Sequence, residues 1–151
     1  MRAQKDIREE VEEIAQNEPT EVAILRLNGY FKQFFWNNYL RNSMGNLYIQ
    51  KNDLIKAGKL LYFKDDPSEM ELEAIEKFKE SCKNNKLRIF KELVNKSKLP
   101  RGIDMKMSSK IFWLILGIAN EEGSLPIHVA RWIWNYERIR NIEIKNNWVR
   151  Q

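Results

Sequence analysis

The sequence predicts a mainly α-helical protein, a multi-helix single domain with little or no β structure. Three observations predict it. Apolar residues recur at three- and four-residue spacing through most of the chain. Helix-start signals are frequent, the plainest being the Ser-x-x-Glu spacing of Ser68 and Glu71. Alternating apolar and polar runs of strand length are weak throughout. The 151 residues fit one domain of 19–151 preceded by a short arm of 1–18, and 43% hydrophobic content is enough to build a core.

In chain order, residues 4–16 read as a short amphipathic helix with Ile7, Val11 and Ile14 on one side. Three apolar residues bury little, so this segment is expected to be a mobile arm or a docking helix for a partner. The break at Asn17–Glu21 opens a helix over 20–41. Phe31, Phe34, Phe35 and Trp36 fall close together in it and predict burial on more than one side. Asn42–Asn46 contains Gly45 and reads as a turn. A helix over 52–62 follows, capped by Asn52 or Asp53.

Ser68 then starts a long helix striped by Leu72, Ile75, Phe78 and Cys82, and Asn84-Asn85 splits it from a segment over 86–96. Pro100 and Gly102 make 97–104 a structured loop. The strongly apolar helix 105–119 ends in an acidic, glycine-containing break. Helix 125–140 has Pro126 in its first turn. Residues 141–151 are basic and polar apart from Ile142, Ile144, Trp148 and Val149.

Charge is unevenly distributed. Residues 1–76 carry 10 Lys+Arg and 14 Asp+Glu, a net −4, while 77–151 carry 16 and 7, a net +9. The richest stretch, 77–98, holds Lys77, Lys79, Lys83, Lys86, Arg88, Lys91, Lys96 and Lys98 against Glu80 and Glu92. Such a half attracts polyanions, because lysine and arginine release counterions from phosphates, although a solvated helix face has the same composition.

The chemistry the sequence excludes is equally informative. One cysteine (Cys82) and one histidine (His128) rule out an internal disulfide framework and a multi-histidine or all-cysteine metal centre within the chain. No glycine-rich phosphate loop of either standard spacing occurs. The carboxylate pairs Asp65-Asp66 and Glu121-Glu122 sit beside turn residues, where solubility and capping account for them. The N-terminus lacks the basic-then-apolar pattern of a signal peptide, and no apolar run approaches the roughly 20 residues of a membrane span. The expectation is a cytoplasmic chain that is non-catalytic by itself and holds neither metal nor cofactor.

The most informative stretch is Leu99 to Arg138. It joins the loop Leu-Pro-Arg-Gly-Ile-Asp-Met-Lys, an apolar helix containing Leu116-Gly117-Ile118, an acidic break, and a helix bearing Arg131-Trp132-Ile133-Trp134. It resembles the C-terminal domain of the large subunit of archaeal and eukaryotic DNA primases, whose loop has the form Leu-x-His-Gly-Gly-Arg-Met. Leu99, Gly102 and Met105 match that loop, Gly117 matches its following turn, and Trp132 or Trp134 matches its aromatic end. Arg101 stands at the histidine position and Asp104 at the arginine position, and the four cluster cysteines are missing. That combination resembles the cluster-free third primase subunit of the PriX type.

The resemblance implies an archaeal primase accessory subunit that helps bind the initiating nucleoside triphosphate and the DNA template during RNA primer synthesis, for DNA replication. Its implied partners are the primase catalytic and large subunits, with no iron–sulfur cluster of its own. The implied contacts are Arg101, Lys106 and Lys110 on phosphates at a helix start, extended by Arg131, Arg138 and Arg140. Trp132 or Trp134 would stack on a base; on a helix the two lie about 200° apart, so they cannot share a face.

Two other readings compete. One is a helical nucleic-acid-binding or interaction protein of unrelated type. In the other, Gly102–Lys106 followed by Leu125–Val129 resembles a helix-hairpin-helix DNA glycosylase, with His128 where the catalytic aspartate would stand.

Overall fold

In a computed structural model, residues 6–94 and 98–150 are described, with side chains described as far as Asn146. Lys96 of the basic run, and the side chains of Trp148 and Val149, lie outside the described residues. Eight helices and no strand occur among the described residues, as the sequence predicts. They are α1 (Arg8–Asn17), α2 (Thr20–Gln33), α3 (Asn38–Gln50), α4 (Leu54–Leu61), α5 (Glu69–Ser81), α6 (Lys86–Leu93), α7 (Met105–Glu122) and α8 (Ile127–Arg150). No helix among the described residues is long and apolar enough to cross a membrane.

The segment read as an arm is packed on its own chain. Ile7, Val11 and Ile14 are all buried, against α2 and α3. Three apolar side chains suffice because the surface that receives them belongs to the same domain, so no separate partner is needed to cover the stripe.

The helix expected over 20–41 is two helices. The chain leaves α2 at Phe34, and the Asn37 side chain caps α3 by accepting from the Leu40 N–H at 2.9 Å. Periodicity hid the break because Phe34, Phe35 and Trp36 pack inward within it. Trp36 is buried and donates its indole N–H to the Leu99 carbonyl at 2.9 Å.

The turn expected at 42–46 lies inside α3. A Cβ on Gly45 would sit 2.5 Å from Leu61 Cγ, so glycine here admits a neighbouring helix and makes no turn. Asn46 bridges the Asn42 carbonyl and the Glu71 carboxylate, both at 3.0 Å.

The caps follow the sequence more closely. Asp53 caps α4, and Ser68 with Glu71 forms a reciprocal capping box on α5. Lys83 and Asn84 turn the chain with positive φ, and Asn85 caps α6. Asp104 caps α7, which ends on Gly123 at φ 74°. Helix α8 starts just after Pro126 and continues to Arg150, well beyond the expected end at 140.

Two apolar clusters form. The first joins α1 to α4 with Ala74 and Ile75 of α5. The second joins Trp36, Phe63, Phe78 and Cys82 to α6, α7, Val129 and Trp132. Helix α5 contributes its first half to one cluster and its second half to the other.

Candidate functional site

At the start of α7, where a phosphate site is expected, the protein's own carboxylates meet the helix end and its lysines. Asp104 Oδ1 accepts from the Met107 N–H at 2.7 Å, and the other carboxylate oxygen accepts from Asn38. Lys106 and Lys110 reach back to Asp65 at 3.3 and 3.0 Å, and Lys110 also donates to the Phe63 carbonyl at 2.8 Å. Hydrogen bonds from Lys110 and then Lys106 hold the Asp65 carboxyl below its ordinary range. These two lysines therefore latch α7 to the loop before α5. Arg101 is exposed in the turn ahead of α7, beside a cleft bordered by Lys32, Trp36 and Lys98.

The two tryptophans of α8 have separate roles, as their angular separation requires. Trp132 is buried, stacked on Tyr136 with ring centroids 5.3 Å apart and met edgewise by Phe90 and Phe112. It is a core residue, so of these two only Trp134 is open to base stacking. That indole is 62% exposed, with the Arg138 guanidinium 5.0 Å from its ring centroid. Trp134, Arg138 and the exposed Arg131 share one side of α8, since three- and four-residue steps keep side chains on a common face.

Arg131 also borders a cavity of about 240 Å³ between α6, the loop at 98–100 and α8. Its cations are Lys91, Lys98 and Arg131, its walls include Phe90, Val94, Leu99 and Pro100, and no carboxylate is among its described lining residues. Glu92, the acidic neighbour on α6, points to an ion pair with Lys59 at 3.2 Å. Trp132 lines the same cavity, and its buried Nε1–H has no hydrogen-bond partner. His128 and Asn135 complete the rim.

The geometry thus brings Arg131 and Trp132 together with two lysines of the 77–98 run, and leaves Lys106 and Lys110 elsewhere. Sequence reasoning found the run but not the pairing of Lys91 and Lys98 with α8. That pairing depends on how α6 packs, which no local signal carries.

No comparable cluster gathers around nucleophiles or metal ligands among the described residues. Among the described residues, no group of three or more His, Cys, Asp or Glu is placed to hold a metal ion. Cys82 is buried, and burial pushes its thiol up, away from thiolate chemistry. His128 lies on the rim of the cationic cavity.

No curated protein and no solved structure matches the chain. One family does, over residues 1–104, a span that ends at the Asp104 cap and leaves α7 and α8 outside. The match takes in well over half of the sequence, and the chain belongs to that family, described as a family of unknown function (DUF6584).

Proposed function

We propose that the protein is a non-catalytic binding subunit that takes a nucleoside triphosphate and single-stranded nucleic acid on α8 and the cavity beside it. The observation that carries this reading is the cavity with three cations, no lining carboxylate and an unpartnered indole N–H. Unopposed cations suit a polyphosphate, and a buried donor without a partner suits an acceptor oxygen. Beside it, Trp134 under Arg138 offers a stacking platform, and Arg131 joins the two features.

In its finer form, the protein is an accessory subunit of an archaeal DNA primase. The Leu99–Arg138 resemblance supports that form. The catalytic and large subunits would be its partners, a DNA template and RNA primer its nucleic acids, and the cytoplasm its place of work. Arg131, Trp134 and Arg138 carry the contact in this reading, with Arg101 at its edge. Trp132 offers its indole N–H from the core, and Lys106 and Lys110 act behind the contact by tying α7 to the loop at Asp65.

The test titrates ATP and a short single-stranded DNA against wild type, Arg131→Ala and Trp134→Ala. Arg131→Ala should weaken both ligands and lower the salt slope for DNA by about one. Trp134→Ala should weaken DNA far more than ATP. Unchanged affinities in both variants would overturn the reading. Stimulation of primer synthesis on adding the protein to a primase catalytic and large subunit pair would support the finer form. Binding without stimulation would favour a nucleic-acid-binding protein of another kind.

A further inference from the structure

Arg41 is the most deeply buried charge in the described structure, at 2% exposure, and it has no carboxylate partner among the described residues. Its Nε–H donates to the Phe35 carbonyl at 2.7 Å. Four rings surround the guanidinium, with centroids at 4.5 Å (Phe35), 5.2 Å (Phe31), 5.3 Å (Trp36) and 5.6 Å (Phe63). Its Nη2, which carries two N–H donors, has no hydrogen-bond partner. Burial lowers the Arg41 pKa to about 9, so the group is still charged at neutral pH. A buried arginine is ordinarily answered by an anion, and the rings supply attraction without supplying an acceptor.

Arg41 lines an open cleft of about 580 Å³ between α2, α3, α4 and α6. Phe31, Phe35 and Tyr48 form its aromatic walls, and Lys56 and Lys91 stand with Arg41 as its cations. Its lining carboxylate, Glu92, is ion-paired with the lining Lys59 at 3.2 Å. Lys56, 5.8 Å from the Tyr48 ring centroid, is exposed and only loosely held by Asp53 at 3.9 Å. Every lining residue falls within the 1–104 span that matches the family. The volume and the mixture of planar apolar walls with convergent cations are those of a small-molecule site.

We infer that this cleft binds an organic phosphate carrying a planar body, of the mononucleotide kind, with the phosphate answering Arg41 and Lys56 and the planar body lying along Phe31, Phe35 and Tyr48. Arg41, Lys91 and the loosely paired Lys56, set against the closed Lys59–Glu92 pair, favour a doubly charged phosphate over a carboxylate. The site is separate from the cavity beside α8. Lys91 borders both, but Arg41 and Arg131 each border one.

That separation makes the experiment discriminating. Arginine Nε–H signals are followed by two-dimensional NMR of the full chain while adenosine monophosphate, inorganic phosphate and adenosine are added in turn. The expected result is a saturable shift of the Arg41 signal with the monophosphate, a weaker one with inorganic phosphate, and little with adenosine alone. Lys56→Glu, a surface change that leaves the fold intact, should weaken the monophosphate about three- to tenfold. A shift confined to Arg131 would overturn the inference while supporting binding beside α8. An unmoved Arg41 at saturating millimolar ligand, with or without an Arg131 shift, refutes it. Equal affinity of wild type and Lys56→Glu would refute the assigned phosphate position.

Discussion

Replacing Gly58 by alanine tests the tightest contact in the fold. A Cβ there would lie 2.0 Å from the Ala74 carbonyl oxygen, 2.5 Å from its carbon and 2.8 Å from Phe78 Cβ. Two of those atoms are backbone, so no rotamer change can make room. Reaching ordinary contact requires α4 and α5 to part by more than 1 Å at this point, on the geometry of that 2.0 Å approach. Overpacking of this kind costs about 1–3 kcal/mol, and a backbone obstacle puts the cost at the upper end or beyond. Alanine's better helix propensity returns about 1 kcal/mol. The net loss should be about 2 kcal/mol, or roughly 4–8 °C in Tm for a chain of this size.

Gly29→Ala is the control, since nothing lies within 4 Å of its added Cβ. The same propensity gain is then unopposed, and stability should rise by about 0.5–1 kcal/mol. Urea denaturation followed by circular dichroism measures both variants. If Gly58→Ala proves as stable as wild type, α4 and α5 do not pack as closely as described, and the wall of the Arg41 cleft built from α4 is misplaced with them.

Other outcomes follow from single residues. Burial alone would push the Glu71 carboxyl up, but hydrogen bonds from Lys64, the Ser68 N–H and Asn46, with the Lys64 charge, outweigh it and bring the pKa to about 2. A carboxyl depressed on folding stabilises above its unfolded pKa, and that contribution is lost as pH falls from about 4.5 toward 2. The loss should be on the order of 3 kcal/mol, and Glu71→Gln should flatten the acid limb of a stability-against-pH curve while lowering stability at pH 7. Trp132→Ala should cost about 3–5 kcal/mol by leaving a core cavity among Phe90, Phe112 and Tyr136. Trp134→Ala should leave Tm nearly unchanged yet weaken single-stranded DNA by about 1–3 kcal/mol; an equal thermal effect of the two changes would contradict their assignment. Lys110→Met should raise the Asp65 pKa toward its ordinary value, a shift visible in carboxyl NMR titration.

Local chemistry was the legible part of this sequence. The Ser68–Glu71 box, the Asn84-Asn85 split and the Pro126 start each depend on residues within a few positions of one another. What misled was residue chemistry with two uses. Gly45 and Asn46 have turn composition, but one admits Leu61 and the other ties α3 to Glu71. The aromatic run at 34–36 keeps helical spacing while the backbone leaves the helix, because burial of Trp36 is satisfied either way.

At the candidate site, the cationic character of 77–98 and the divergence of Trp132 and Trp134 were both legible. Asp65 was not seen as the partner of Lys106 and Lys110, because that pairing spans more than 40 positions. Arg41 carried no signal at all. A lone arginine in an aromatic, asparagine-rich stretch reads as surface until the break after α2 folds Phe31, Phe35 and Trp36 around it and the more distant Phe63 closes the cage.

The division of α5 between two apolar clusters bears on how the family can be built. The shared sequence pattern stops at residue 104, yet Phe78, Cys82, Ile89 and Phe90 face a cluster whose far side is Ile111, Leu114, Ile115, Ile118, Val129 and Trp132. A chain cut at that boundary would present the inner half of a core to water. In this protein α7 and the start of α8 cover that half, as a lid on the family-matching segment. A relative that shares only the first 104 positions must roof the same apolar floor with different helices, with a second copy of itself, or with another chain.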